Sequence, residues 1–221
     1  MFNSSQRSLM KEEIKNRKLI LSLKGLSCEK ALEVAQTAYE CGIKTFEVSL
    51  KSPFPAKTLD MLKEQMPNDA IIGAGDVMCI PGTDHDIIYA CQHGAMFLDS
   101  PIWCDVFTNR SRVFDAVTIC GTDILSEMYT AHKNDASFIR LPLLSRVSAD
   151  LIKEICSLIN HVRICLCGDL PKEKLAEYFE AGLSLYILDS DIVRTLVDVE
   201  DYDGLVEYFK SVVNSVKEYV Y

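Results

Sequence analysis

The chain has 221 residues, 48% of them hydrophobic, and no Gly/Ser/Pro-rich break divides it, so residues 1–221 read as one domain with a sizeable core. A net charge of −9, from 32 acidic and 23 basic residues with no basic run, excludes the electrostatic footprint of a nucleic-acid binder. Nine cysteines, odd in number and scattered through apolar segments, read as reduced core thiols of a cytoplasmic protein; the closest pair, Cys165 and Cys167, alternates as a strand does and lacks the two-residue gap of a zinc knuckle.

The opening run MFNSSQRSLMKEEIKNRK is polar and holds no apolar stretch of signal-peptide or membrane-spanning length. It reads as a short amphipathic helix or a frayed end, and no membrane partner is expected. Short β-rich runs then recur: KLILSL, KTFEVSL, AIIGAG, AMFLDSP, AVTICG, SFIRLPL, VRICLCG and LYILDS, eight in all. Helical segments separate them. SCEKALEVAQTAYECG offers Ser27 as N-cap and Gly42 as its stop, and PKEKLAEYFEAG has Pro171 near its first turn and Gly182 at its end. Val106 to Phe114 is weak and reads as a turn or two, whereas Asp201 to Tyr219, with apolar Leu205, Val206, Phe209, Val212, Val213 and Val216, reads as a long terminal helix.

Alternating strands and helices in this length favour a closed (β/α)₈ TIM barrel, with the short N-terminal and long C-terminal helices added, over an open doubly wound sheet. The first strand exits as KGLSCEK and lacks the GxGxxG spacing of a dinucleotide site. The barrel also explains TFEVSLK, which puts Phe46, Val48 and Leu50 on one face and Glu47, Ser49 and Lys51 on the other. In a half-exposed strand the polar face meets water; in a barrel it lines the interior.

Working sites of such barrels lie at the C-terminal strand ends, where this chain places Lys24, Glu47, Lys51, Asp76, Asp99, Arg140, Asp169 and Asp189. Glu47 beside cations makes an acid/base arrangement, burial raising its pKa and the cations lowering it. The blander roles are a structural ion pair of Glu47 with Lys51 or Arg140, and helix capping by Asp76, Asp169 and Asp189. His85, His93, His132 and His161 show no HxxxH spacing and no GxSxG elbow is present, so the histidines read as surface or helix-packing residues. Trp103 reads as packing, with a pocket lid or an interface anchor as its other roles.

Several pieces, in order, resemble the keto-deoxy-phosphogluconate and keto-hydroxyglutarate aldolases, class I aldolases built as (β/α)₈ barrels. CGIKTFEVSLKSP resembles the strand with the catalytic Glu in an LEVTLRTP-like run, IIGAGDVM resembles GAGTVL, and AMFLDSP resembles FLVSPG, over roughly Leu19 to Val193. The resemblance implies Glu47 as general acid/base, Lys51 where the family has an Arg for the substrate carboxylate, Asp76 where it has a Thr, and Ser100 and Pro101 as its Ser-Pro pair. It departs on strand six. The family forms its Schiff base from a lysine in a run like LKFFPA, and this chain reads FIRLPLL; by side-chain polarity Arg140 takes the lysine position, and by alignment on Pro142 Ile139 does. Neither forms an imine, since a guanidinium stays protonated and offers no nucleophilic lone pair.

The implied phosphate cradle departs too. Its TGG turn after strand seven is CGDL here, and its glycine-serine turn after strand eight is LDSD, so Asp169 and Asp189 replace glycines and Gly168 and Ser190 remain as contacts. Each such carboxylate would cost a bound phosphate on the order of a kcal/mol or more. Two functions stay open: a barrel that has lost the family's aldolase activity, or an active lyase on a small keto acid with Glu47 as acid/base, Arg140 or Lys51 holding the carboxylate, and Lys51 as a relocated imine lysine. A metal on Glu47, Asp76 and Asp189 is a variant of the second; no cofactor is otherwise expected. Kinship implies a homotrimer.

Overall fold

A computed structural model describes residues 4–79, 84–141 and 147–220. After helix α1 (Ser4–Arg17), eight strands alternate with helices: β1 (Leu19–Ser22), α2 (Cys28–Glu40), β2 (Thr45–Ser49), α3 (Pro55–Gln65), β3 (Ile71–Gly75), α4 (His85–Gln92), β4 (Phe97–Ser100), α5 (Asp105–Val113), β5 (Val117–Gly121), α6 (Leu125–Lys133), β6 (Phe138–Arg140), α7 (Ala149–Leu158), β7 (Ile164–Gly168), α8 (Lys172–Glu180) and β8 (Leu183–Leu188). Helices α9 (Asp191–Asp198) and α10 (Tyr202–Val216) follow, and a 3₁₀ turn, Lys217–Tyr219, extends α10. All neighbouring strands pair in parallel, and β1 joins both β2 and β8 (Leu21 beside Phe46 and Leu188), which closes an eight-stranded barrel.

Alternation along each strand sorts the side chains into two cores. Outward residues such as Phe46, Val48, Leu98, Cys120 and Ile139 pack with the inner faces of the helices. Inward residues Ile20, Ile71, Phe97, Val117, Ile119, Phe138, Cys165, Leu185 and Ile187 form a separate cluster inside the barrel, and Ile14 of α1 joins it. The N-terminal run is therefore an ordered helix that closes the barrel floor. Arg7 fastens it, donating from Nε to the Ala116 carbonyl at 3.0 Å and pairing with Asp135. Complete burial of Ile14 stabilises this arrangement by roughly 1.5–3 kcal/mol.

Local chemistry agrees with the helix boundaries. Ser27 accepts a bond from the Lys30 amide, Gly42 and Gly182 follow α2 and α8 with positive φ, and α10 buries Leu205, Phe209, Val212 and Val216. The Val106 region is more ordered than its sequence suggests. Helix α5 runs for 9 residues, and its buried face is Phe107, Thr108 and Ser111, two of them hydroxyls that bond back to the helix backbone, so an apolar stripe is missing although the helix is present.

Candidate active site

Strand β2 is buried on both faces. Phe46 and Val48 point to the helices, and Glu47 points into the barrel, which accounts for the polarity of TFEVSLK. Glu47 is 5% exposed. Its carboxyl lies across β3 at Gly75, where an added Cβ would stand 2.4 Å from the Glu47 carboxyl carbon; one turn of the pleat lower, a Cβ on Gly73 would stand 2.4 Å from the Phe97 ring. The two glycines of IIGAG thus make room for an acid above and a floor aromatic below.

Opposite lies a second buried acid. Asp99 of β4 is 1% exposed and accepts a bond from Arg140 Nη1 at 2.8 Å. Arg140 ends β6, in register with Gly121 of β5. Ile139 faces outward in the helix-side core, so of the two residues aligned with the family's lysine, Arg140 is the one inside the barrel. Pro142, the anchor of the other alignment, lies outside the described residues.

Electrostatics separate the two acids from ordinary carboxylates. Burial, then the charge of Asp99, pushes the Glu47 carboxyl well above its usual pKa, against the pull of Arg140. Burial likewise pushes Asp99 up to about 6, the nearby Arg140 opposing the shift. One oxygen of each, Glu47 Oε2 and Asp99 Oδ1, is buried without a hydrogen-bond partner among the described residues. Unpartnered buried acceptors are costly, and both belong to the inward layer where a ligand would enter. Cys165 and Cys167 share this interior, their thiols held neutral chiefly by burial.

Nearer the rim, Asp76 follows β3 with φ of 55°, a conformation that Asp tolerates better than most residues. It accepts a 2.5 Å bond from Ser49 Oγ and pairs with Lys24 at 3.2 Å and Lys51 at 3.6 Å. Burial raises its pKa, but Ser49 and the two lysines outweigh that and leave it below the usual value. Lys51 therefore belongs to an Asp76 cluster, with its side chain 63% exposed, and the expected Glu47–Lys51 pair does not form. The pKa of Lys24 rises: burial opposes the charged form, and Asp76 more than compensates.

The capping roles expected of three aspartates need correction. Asp76 makes the contacts above, and α4 starts after Asp84; Asp169 accepts from Ser190 Oγ at 3.2 Å, and α8 starts after Pro171; Asp189 pairs with Arg194 at 2.6 Å, and Ser190 caps α9 through the Ile192 amide. Ser190 also accepts from the Tyr208 hydroxyl, and the Tyr186 hydroxyl donates to the Gly168 carbonyl. The side chains of Asp169, Asp189 and Ser190 thus all bond within the protein. Ser100 points outward and donates to the Ile102 carbonyl at 2.6 Å, while Pro101 lays its carbonyl against Gly121. Among the described residues no three His, Cys, Asp or Glu side chains are grouped to hold a metal ion, and no helix is long and apolar enough to cross a membrane. Of the rest, Trp103 packs against the helix-side core and His93 pairs with Asp60 at 2.9 Å.

Eight parallel strands closed into a barrel, with helices between them and a buried carboxyl on the inner face of β2, make this a (β/α)₈ TIM barrel, an architecture whose working sites lie at the C-terminal strand ends. The sequence profile described as "Aldolase: KDPG and KHG aldolase" matches residues 10–207, and the chain belongs to that family. It is 25% identical over 184 residues to the Escherichia coli (strain K12) protein named 2-dehydro-3-deoxy-6-phosphogalactonate aldolase, covering 82% of this chain and 87% of that one. Among solved structures, one described as native KDPGal superposes with a TM-score of 0.81 at 21% identity, covering 91% of this chain and 95% of the other. The KDPG aldolase of Legionella pneumophila, captured with pyruvate as a covalent carbinolamine, superposes with a TM-score of 0.80 at 19% identity, covering 91% and 97%. At such identity these two speak for the fold.

Proposed function

We propose that this chain is a divergent member of the family that has given up the strand-six imine, so that its barrel mouth binds a small keto acid without the family's covalent aldol cleavage. The observation that carries this reading is the 2.8 Å pair between Arg140, on the inner face of β6, and the buried Asp99. A guanidinium fixed in that position supplies neither the nucleophile nor the electron-withdrawing iminium of the class I mechanism. The two other strand-end amines support the same conclusion: Lys24 and Lys51 both pair with Asp76, and a nucleophilic lysine needs its charged form disfavoured, the opposite of what Lys24 experiences.

The remaining roles follow kinship. Arg140 and Lys51 offer charge to the ligand's carboxylate, Asp76 lines the rim, Pro101 and Ser100 shape the wall beside β5, and Gly168 and Ser190 stand where a distal ligand group would end. Asp169 and Asp189 disfavour a phosphate there. We further propose a cytoplasmic homotrimer; the exposed apolar residues Ile102, Val106, Ile124, Leu125 and Tyr129, clustered on α5, α6 and the loops before them, suit burial against another copy.

A second reading rests on the unpartnered Glu47 Oε2. A buried carboxyl whose pKa burial raises is a competent general acid for an enolising keto acid, with Lys51 as the amine of a relocated imine. The two readings separate in an assay for pyruvate release from 2-dehydro-3-deoxy-6-phosphogalactonate and from unphosphorylated 4-hydroxy-2-oxoglutarate. The first predicts no release above background; release that Lys51→Met abolishes and Glu47→Gln slows would replace it with the second.

A further inference from the structure

The loss of the imine position involves two strands. In the run FLDSP, Asp99 stands where the FLVSPG run of the resembled family has an apolar residue, and it faces the same interior as Arg140. We infer that Asp99 is the positioning residue that fixes the chemistry of this site: it holds whatever cation ends strand six in its charged, non-nucleophilic form, so that restoring a lysine at residue 140 is not enough to restore imine formation.

The pair is structurally demanding. Arg140 is 17% exposed and Asp99 1% exposed, so each depends on the other for compensation. Strands β4 and β6 are not neighbours, yet barrel closure turns both side chains into the same interior, where they meet at 2.8 Å. A carboxylate at 2.8 Å favours the charged form of any amine placed there. Imine formation requires the neutral amine: its lone pair attacks the keto carbon, the carbonyl oxygen leaves as water, and the resulting iminium accepts hydride when borohydride is supplied. Glu47, Cys165 and Cys167 also face residue 140 and, when ionised, favour a charged group there, Asp99 being the largest such influence. Phe97, Phe138 and Ile119 below the pair form an apolar floor of the kind that favours a neutral amine, and Glu47 supplies a nearby acid.

This rests on the reading that the parent chain forms no strand-six imine, and the two fail separately. The full chain as Arg140→Lys, and as Arg140→Lys with Asp99→Asn, is incubated with pyruvate and borohydride from pH 6 to 9, and the reduced adduct is located by peptide mass. Asparagine keeps the shape of Asp99 and removes its charge. At pH 7 the double variant is expected to label at residue 140 at least about tenfold faster than Arg140→Lys, one pKa unit of lost charge stabilisation, and the gap should close toward pH 9. Equal rates at pH 7, or no labelling at residue 140 by a folded double variant, would overturn the role of Asp99. If the double variant does not fold, Arg140→Lys with Asp99→Leu takes its place: labelling at residue 140 about tenfold faster than in Arg140→Lys at pH 7 supports the role, and equal labelling overturns it. An adduct on the unaltered parent would bear on the proposed function, not on this inference.

Discussion

The barrel interior has two layers, and they are stabilised by opposite means. The floor, with Ile20, Ile71, Phe97, Val117, Phe138 and Leu185 under Ile14, is a sealed apolar cluster. Higher in the barrel, on β2, β4 and β6, Glu47, Asp99 and Arg140 put two acids and a cation into a largely buried space. The floor gains free energy from burial. The upper layer spends some of it, because a desolvated ion pair returns its cost only while both partners remain. A layer that costs stability and orients polar groups at the C-terminal mouth is where function is expected.

The largest effects test that contrast directly. Phe138→Ala in the floor is expected to cost about 3–5 kcal/mol in urea unfolding, equally at pH 5 and pH 8. Arg140→Met is expected to cost about 3–5 kcal/mol at pH 8, because it strands a buried carboxylate, and clearly less at pH 5, where Asp99 takes up a proton. Adding Asp99→Leu to Arg140→Met should recover most of that loss. If the floor variant shows the stronger pH dependence, the two-layer account fails.

A smaller effect sharpens the upper layer. The folded-state pKa of Asp99, pushed up to about 6, and that of Glu47, also raised, exceed their unfolded values, so the folded chain binds protons more readily than the unfolded one. Their contribution to stability is present at low pH and lost as pH rises through the folded values, from near pH 4 through 6 for Asp99. Glu47→Gln removes one of these groups. Its stability should fall less steeply than the parent's as pH rises, because the amide has no proton to lose. An unchanged pH profile would show that Glu47 is not perturbed.

How much of this was legible in the sequence differs between the layers. Strand alternation displayed the inward face of β2 and placed Glu47, because a pleat of period two needs no partner to be read. The Asp99–Arg140 pair was not readable in the same way. Both residues stood among the strand-end charges, but β4 and β6 are not adjacent, and only barrel closure brings the side chains together. The aspartates differ from the capping expectation for a related reason. Capping is a local rule, whereas Lys24, Ser190 and Arg194 reach Asp76, Asp169 and Asp189 from elsewhere and compete with it. Helix α5 was underrated because hydroxyls occupy its buried face.

The smallest expected effect lies at the turns after β7 and β8. With Ser190 engaged by Asp169 and Tyr208, and Asp189 by Arg194, millimolar phosphate should leave the melting temperature where chloride at matched ionic strength leaves it. A clear rise with phosphate would return a phosphorylated ligand to consideration.

The central claim is that the barrel carries out no imine chemistry, and trapping on the unaltered protein tests it most directly. The full chain is incubated with pyruvate and borohydride, and its intact mass and peptide map are compared with a control lacking pyruvate. The account predicts no reduced pyruvyl adduct on any strand-end lysine. An adduct on Lys51 or Lys24 that requires Glu47 would contradict it and show that the chain still carries out imine chemistry from a new position.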